Sequence, residues 1–250
     1  MLLSISSCAQ RSDVRSHSLI TVSAAASLQD TLKDIQSDYE QAHPRDRIRY
    51  NFGASGAIAQ QISQGAPTDV FISASERWLT QLEESDSLVK NSRQPLLTNN
   101  LVLVANPNST INNIQDLTVD TVSKISVGEP QSVPLGSYTQ EALAALNLSE
   151  KIKEKLVFAK DARQVLTYVE TGNTTAGIIY QTDARLSQQI ETVEIIPSHL
   201  HTPIRYSVAI VRQNQNQQNK DTQSAQSFID FLYTQSAKDT FRRYGFEVVP

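Results

Sequence analysis

The most constraining feature of this sequence is a regular alternation of short apolar runs with segments of helical periodicity. An apolar run at 19–22 is followed by apolar residues at helical spacing over 28–42. The same order returns in 48–64 and in 70–84, with a Gly-Ala-Pro stop at 65–67 between them. Strands that alternate with helices predict an α/β protein whose sheets are covered by helices.

Two long apolar runs divide the sequence, at 101–105 and 206–211. We interpret them as the crossovers between two α/β lobes. The predicted lobes are 18–98 plus 206–250 and 99–205. A two-lobed chain of this kind places a ligand cleft between its lobes, at the carboxyl ends of the strands.

Composition argues against several classes of function. Lys and Arg number 22 and Asp and Glu number 26, giving a formal net charge of −4, so no basic field is available to hold nucleic acid. There is 1 cysteine, Cys8, which excludes an internal disulfide and a cysteine-rich metal site. Since no Gly-Lys dipeptide occurs, there is no P-loop, and any ATPase would be a separate subunit.

The first residues predict a lipid anchor. A short apolar stretch that ends in small residues leads directly to Cys8, and a polar segment follows it. This order resembles the lipobox of bacterial lipoproteins, with the basic region missing and the apolar stretch truncated. We therefore interpret 1–17 as a truncated signal, lipobox and tether, attached to the membrane through a lipidated Cys8. A frayed terminus with an incidental thiol is the alternative.

Four turns that open helices share a composition suited to anion binding. They are Ala24-Ala25-Ala26-Ser27-Leu28, Gly53-Ala54-Ser55-Gly56-Ala57, Val133-Pro134-Leu135-Gly136-Ser137-Tyr138 and Lys160-Asp161-Ala162-Arg163. Small residues let the backbone approach a ligand, and the free N–H groups and dipole of a first helical turn attract an anion. Ser27 and Ser55 add hydroxyl donors. Since a serine in one such turn is usually an N-cap, the prediction rests on the four turns together.

The small-residue positions of these turns carry neither Lys nor Arg, so neutral dipoles would meet the anion's charge. That favours selection by donor geometry and cavity size. A partly protonated phosphate needs an acceptor for its proton, whereas a fully ionised tetrahedral dianion needs donors only. Asp161, the one carboxylate close by, is interpreted as the N-cap of the helix that follows it.

Five strings in order over residues 19–248 resemble the molybdate-binding proteins of bacterial ABC importers. They are residues 24–28, 53–56 through 65–74, 128–130 with 133–138, 177–180 and 243–246. The resemblance implies a type II periplasmic-binding-protein fold, in which two lobes, each a mixed sheet flanked by helices, close on molybdate or tungstate. It also implies a periplasmic monomer without a cofactor or a catalytic site, whose partners are a membrane permease and its separate ATPase.

The resemblance implies five ligand residues for the oxyanion, which would carry molybdenum as molybdate. Ser27 and Ser55 would bind through hydroxyl and backbone N–H, Leu135 and Ala162 through backbone N–H, and Tyr180 through its hydroxyl. The family often has Ala in place of Leu135 and Val in place of Ala162, which changes the pocket walls more than the number of donors. Judged without the family, Tyr180 would be a half-buried tyrosine at a strand end.

Three alternatives stay open at the level of sequence. The same fold could bind another oxyanion, with sulfate the nearest because it also needs donors only. A secreted serine hydrolase could use Ser27 or Ser55, although Ala57 breaks the Gly-x-Ser-x-Gly pattern and no triad partner is recognisable nearby. A domain that binds only a protein partner is the third, and the sequence has no apolar stripe that would favour it.

Overall fold

The computed structural model describes residues 18–212 and 220–249. The predicted lipobox and Cys8 therefore lie outside the described residues. The strands of the described chain, in order, are β1 (Ser18–Ala25), β2 (Asp46–Gly53), β3 (Val70–Ser73), β4 (Gln94–Thr98), β5 (Leu101–Ala105), β6 (Ile125–Gly128), β7 (Leu156–Ala159), β8 (Ala176–Tyr180), β9 (Glu191–Ile195), β10 (Arg205–Ile210) and β11 (Glu247–Val248).

Helices connect most of these strands. In chain order they are α1 (Gln29–Ala42), α2 (Ser55–Ser63), α3 (Glu76–Glu84), α4 (Pro134–Ala145), α5 (Ser149–Ile152), α6 (Ala162–Glu170), α7 (Gln181–Ala184), α8 (Lys220–Leu232) and α9 (Gln235–Arg243). Short 3-10 turns occur at Ala26–Leu28, Ile114–Thr118, Lys153–Lys155 and Ser198–Leu200. Within the described ranges, no helix is long and apolar enough to cross a bilayer.

The strands form two mixed sheets, which confirms the predicted fold class. One sheet has the order β11-β4-β10-β3-β1-β2 and the other the order β7-β6-β8-β5-β9. Every residue of β3 and of β5 is buried, as expected for strands with helices on both faces. The lobes predicted as 18–98 plus 206–250 and 99–205 remain a proposal, which this division of the strands supports.

The chain passes between the sheets twice. It leaves the first sheet through Asn99 and Asn100, which connect β4 to β5, and it returns through residues 196–204, which connect β9 to β10. The two apolar runs interpreted as crossovers, 101–105 and 206–211, follow directly after these passages. Each run forms its strand within a single sheet, so the passages themselves are the connections between the two sheets.

The C-terminal helix differs from its prediction. Helical spacing over 225–241 predicts one helix, but the structure has two, with α8 ending at Leu232 and α9 beginning at Gln235. Thr234 between them has an extended backbone (φ −66°, ψ 158°), and its hydroxyl accepts the Ala237 N–H at 3.4 Å. A threonine N-cap therefore starts a new helix. Both helices pack on the first sheet, so the apolar spacing continues through the break.

Candidate functional site

Four of the five predicted ligand residues meet in one cavity between the two sheets. Ser27 follows β1, Ser55 begins α2, Ala162 begins α6 and Tyr180 ends β8. The lining residues are mostly small: Ala25, Ala26, Ser27, Gly53, Ala54, Ser55, Ala74, Val133, Pro134, Ala162 and Tyr180. The cavity is small, with a volume of about 10 Å³. The carboxyl ends of strands and the first turns of helices build it, as the sequence predicts.

Leu135, the fifth predicted residue, is not one of the residues that line this cavity. Its side chain is fully buried, whereas Val133 and Pro134 before it face the cavity. Pro134 is the first residue of α4 and has no N–H, so Leu135 carries the first backbone donor of that helix. A ligand role for Leu135 through its N–H stays a prediction.

Neither serine in the cavity caps its helix. The Ser27 hydroxyl lies 2.9 Å from the hydroxyl of Tyr206, and the Ser55 hydroxyl accepts the N–H of Ala74 at 3.1 Å. The N-cap of α2 is Ala54, which has no side-chain hydrogen bond to the helix. The structural role commonest for serine at a helix start therefore does not account for Ser27 or Ser55.

Asp161 does cap its helix, as predicted. Its carboxylate accepts the N–H of Gln164 at 2.9 Å, at the first turn of α6. This hydrogen bond occupies the carboxylate with the backbone of its own helix. The neighbouring Ala162 begins the helix and lines the cavity.

Tyr180 is more deeply buried than its strand-end position indicates. The side chain is 1% exposed, and its hydroxyl has no hydrogen-bonding partner among the described residues. Burial raises the pKa of this hydroxyl well above its ordinary value, so the group keeps its proton and can donate it. A buried, unpartnered donor carries a cost of about 1–3 kcal/mol, which a ligand in the cavity would relieve.

The two sheets approach each other closely around the cavity. The N–H of Gly56 donates to the carbonyl of Ser132 at 2.9 Å, and the Tyr138 hydroxyl donates to the carbonyl of Ala74 at 3.1 Å. Each contact joins a helix on the side of one sheet to a loop on the side of the other sheet. Ligand donors from the two sheets are therefore held within one small enclosure.

Arg163 adds a charged contact between the sheets beside the cavity. Its Nη2 donates to the Asp30 carboxylate at 2.6 Å, and its Nε donates to the Ala26 carbonyl at 3.4 Å. The same Nε lies 3.1 Å from Oδ1 of Asp183 without hydrogen-bond geometry. Arg163 therefore places positive charge near the cavity, and acidic groups share that charge.

Asp183 is fully buried, and this burial raises the pKa of its carboxyl to about 7. Arg163 lowers the pKa, whereas Asp30 and Asp161 add to the rise, so attraction only partly offsets desolvation. In the unfolded chain the group has an ordinary pKa near 4. Between about pH 4 and pH 7 the folded protein therefore holds a proton that the unfolded chain releases.

Stability should consequently fall as pH rises through this range, and Asp183→Asn should remove that part of the fall. We expect the unfolding free energy of the natural protein to drop by about 2–3 kcal/mol relative to Asp183→Asn between pH 5 and pH 8. Denaturant unfolding of both proteins at the two pH values measures the difference. Glu40, whose pKa is lowered, is present in both proteins, so its effect on the pH dependence of stability cancels in the difference. Parallel pH curves would contradict a raised pKa for Asp183.

The chain is similar to known solute-binding proteins over most of its length. The family model of bacterial extracellular solute-binding proteins matches residues 20–247. The chain belongs to this family. It is therefore an extracytoplasmic solute-binding protein and not an enzyme, and the serine-hydrolase alternative is set aside.

Individual relatives make the family assignment more specific. The molybdate-binding protein ModA of Haemophilus influenzae is 38% identical over 232 residues, covering 91% of this chain and 89% of that protein. A Bacillus subtilis protein named as an ABC transporter substrate-binding lipoprotein, YvgL, is 41% identical over 229 residues, covering 91% and 85%. A solved substrate-binding domain from Clostridium difficile, assigned to a molybdenum ABC transporter, is 38% identical with a TM-score of 0.71 and covers 93% and 99%.

Three residues that shape the site were not predicted as site residues: Tyr206, Asn99 and Arg163. Tyr206 lies 179 positions from Ser27 in the chain, so no local motif connects them. Asn99 is part of the passage from β4 to β5, and its amide donates to the Tyr206 hydroxyl at 3.3 Å. Arg163 stands in one of the quoted turns, but its reach to the opposite sheet depends on how the sheets pack.

Proposed function

We propose that the protein captures molybdate in the cavity between its lobes, through Ser27, Ser55, Leu135, Ala162 and Tyr180. The observation that carries the proposal is the Tyr180 hydroxyl, buried and unpartnered in the described chain, in the same cavity as two serine hydroxyls. Because the Tyr180 hydroxyl is a donor without a partner in the described chain, it favours a ligand that has hydrogen-bond acceptors. Molybdate offers four oxygens and no proton, so every contact in the cavity can be a donated hydrogen bond.

The identity of the relatives supports molybdate over other oxyanions. A protein named as molybdate-binding covers 91% of this chain at 38% identity, and a second covers 92% at 34% identity. The small lining side chains suit a compact anion and leave no room for an organic group. We extend the proposal to tungstate, since its tetrahedral dianion presents the same acceptors.

Capture would work by differential binding to two arrangements of the lobes. An anion that contacts donors from both lobes stabilises the closed arrangement over an open one, and the closed shape then docks on a membrane permease. A separate ATPase subunit would drive release, because the chain has no P-loop. The names of the relatives as ABC transporter components support these partners. We propose that the binding protein acts as a monomer.

Titration calorimetry with four anions tests this function. We expect tight binding of molybdate and tungstate and much weaker binding of sulfate and phosphate. A sulfate affinity above that of molybdate would overturn the choice of ligand while leaving the fold and cavity in place.

Small-angle scattering tests the closure that the proposal requires. We expect the radius of gyration to decrease when molybdate is added at saturation, because the anion holds the lobes together. Sulfate at the same concentration is the control for ionic strength. An unchanged radius of gyration with molybdate bound would exclude a large closure.

We propose that Cys8 is acylated and holds the protein at the outer face of the membrane. The small residues before Cys8 and the lipoprotein name of a 41% identical relative support this proposal. Intact-mass analysis of protein from the membrane fraction should show the added mass of the acyl chains. An unmodified thiol at Cys8 would contradict the anchor.

A further inference from the structure

The hydroxyl of Ser27 could face a ligand as a donor or as an acceptor. Serine has one hydrogen to donate and also accepts, and its 2.9 Å contact with the Tyr206 hydroxyl can run in either direction. The direction of that single hydrogen bond decides whether the Ser27 hydrogen points into the cavity. The groups around Tyr206 settle the direction.

Hydrogen bonds connect Asn99 to Tyr206 and Tyr206 to Ser27, and Asn99 sets their direction. Its Oδ1 accepts the N–H of Asn100 at 2.9 Å, which sets the orientation of the side-chain amide. The Nδ2 group then donates to Thr182 at 2.9 Å and to the Tyr206 hydroxyl at 3.3 Å. Because an amide nitrogen cannot accept, the Tyr206 oxygen is the acceptor in this contact.

The Tyr206 hydroxyl must therefore donate its hydrogen bond to the Ser27 oxygen. The side chain is fully buried, and Asn99 and Ser27 are its two polar partners in the described chain. If Ser27 donated to Tyr206, the Tyr206 hydrogen would be buried without an acceptor, which is unfavourable. When Tyr206 donates to the Ser27 oxygen, the Ser27 hydroxyl hydrogen can point into the cavity and donate to a ligand.

The other two hydroxyls of the cavity have the same polarity. Ser55 accepts the N–H of Ala74 at 3.1 Å, so its hydrogen is also available to a ligand. Tyr180 keeps its proton and has no partner among the described residues. The three hydroxyls thus act as donors, and the first backbone N–H groups of the helices add to them.

We propose that Tyr206, oriented by Asn99, is a positioning residue that directs the Ser27 hydrogen at the anion and thereby selects against oxyanions that carry a proton. The inference rests on the proposed function. Hydrogen phosphate is the informative ligand because, near pH 8, it has the tetrahedral shape and double negative charge of molybdate together with one proton. That proton needs an acceptor. Donation from Tyr206 occupies one of the two lone pairs of the Ser27 oxygen and directs the Ser27 hydrogen at the anion, so Ser27 meets the phosphate proton with a hydrogen.

Tyr206→Phe tests the proposal because it removes the hydrogen donated to Ser27 and keeps the ring. The ring contacts with Phe246 and Tyr180, at centroid distances of 5.5 and 6.0 Å, can persist in the variant. We expect molybdate to bind about 10-fold more weakly, and hydrogen phosphate to gain about 10-fold relative to molybdate, since the Ser27 hydroxyl can then rotate and present a lone pair to the phosphate proton. Calorimetry with molybdate, sulfate and phosphate at pH 8, with displacement of molybdate for weak ligands, measures the ratios.

Sulfate separates the proposed role from a structural one. Sulfate has no proton, so its affinity should fall together with that of molybdate while phosphate departs from both. Tyr138→Phe is the matched control, because it removes a buried hydroxyl that joins the two sheets without contacting Ser27. It should weaken all three anions by the same factor.

The outcomes separate the two levels of the proposal. If the natural protein does not bind molybdate, the proposed function fails. If it binds molybdate and Tyr206→Phe leaves the phosphate-to-molybdate ratio unchanged, including the case in which phosphate displaces molybdate from neither protein, the role of Tyr206 fails alone. Asn99→Ala should shift the ratio in the same direction by a smaller factor, and it gives a second test if Tyr206→Phe does not fold.

Discussion

A protein that carries both Ser27→Ala and Ser55→Ala is expected to bind molybdate at least about 100-fold more weakly than the natural protein. Each substitution removes a donor to an enclosed anion, and a hydrogen bond to a charged group contributes about 1.5–3 kcal/mol, or roughly 10-fold to 150-fold in affinity. Both hydroxyls line the same small cavity, so their losses should combine. Calorimetric titration of the double variant with molybdate measures the effect.

A matched serine on the same helix provides the control. Ser63 ends α2, and its hydroxyl donates to the carbonyl of Ala59 at 3.0 Å, away from the cavity. Ser63→Ala should keep the natural affinity. Thermal unfolding should accompany the titrations, because Ser55→Ala also leaves the Ala74 N–H without its partner. Natural affinity in the double variant would place the anion site elsewhere.

Gly136→Ala is expected to destabilise the protein by about 3 kcal/mol or more, the upper end of what overpacking costs. An added Cβ would lie 2.1 Å from the carbonyl oxygen of Gly128 and 2.5 Å from its carbonyl carbon. Both are backbone atoms of β6, so α4 would have to move away from the sheet. The midpoint of thermal unfolding should fall by roughly 6–12 °C.

The same displacement should weaken molybdate binding, because α4 begins with the backbone that presents Leu135. Gly53→Ala is the control for stability, since its Cβ would lie 3.8 Å from the Ile58 side chain, an ordinary contact. Differential scanning calorimetry of the two variants tests the prediction. Equal midpoints for Gly136→Ala and Gly53→Ala would show that the approach of α4 to β6 is not as tight as described.

Much of the fold follows from local patterns. The helix predicted over 76–84 and the strands predicted over 101–105 and 176–180 occur with those bounds, because apolar spacing and stop signals are both clear there. The strand β9 was not predicted, since its sequence is largely exposed and lacks an apolar run. The break at Thr234 was missed because the apolar spacing continues across it.

Some residues of the site could be predicted from local sequence, whereas others depend on how distant parts of the chain pack together. Ser27, Ser55 and Ala162 stand in turns whose composition predicts an anion site, and the structure brings them together. Tyr180 came from the family resemblance, since one tyrosine at a strand end has no local signal. Tyr206 could not be predicted, because its role exists only once a distant strand places its hydroxyl against Ser27.

The net charge of −4 is compatible with an anion site of this kind. The donors proposed for molybdate are hydroxyls and backbone N–H groups, and the nearby Arg163 is paired with Asp30 and Asp183. Selection then depends on the geometry and the direction of neutral hydrogen bonds. Overall charge affects solubility and encounter with partners rather than the choice of ligand.

Anomalous diffraction at the molybdenum absorption edge, from crystals grown with molybdate, tests the central proposal most directly. We predict one strong anomalous peak in the cavity, with molybdate oxygens within hydrogen-bonding distance of the hydroxyls of Ser27, Ser55 and Tyr180. A molybdenum peak outside this cavity, or none in crystals of a protein that binds molybdate in solution, would contradict the proposed site.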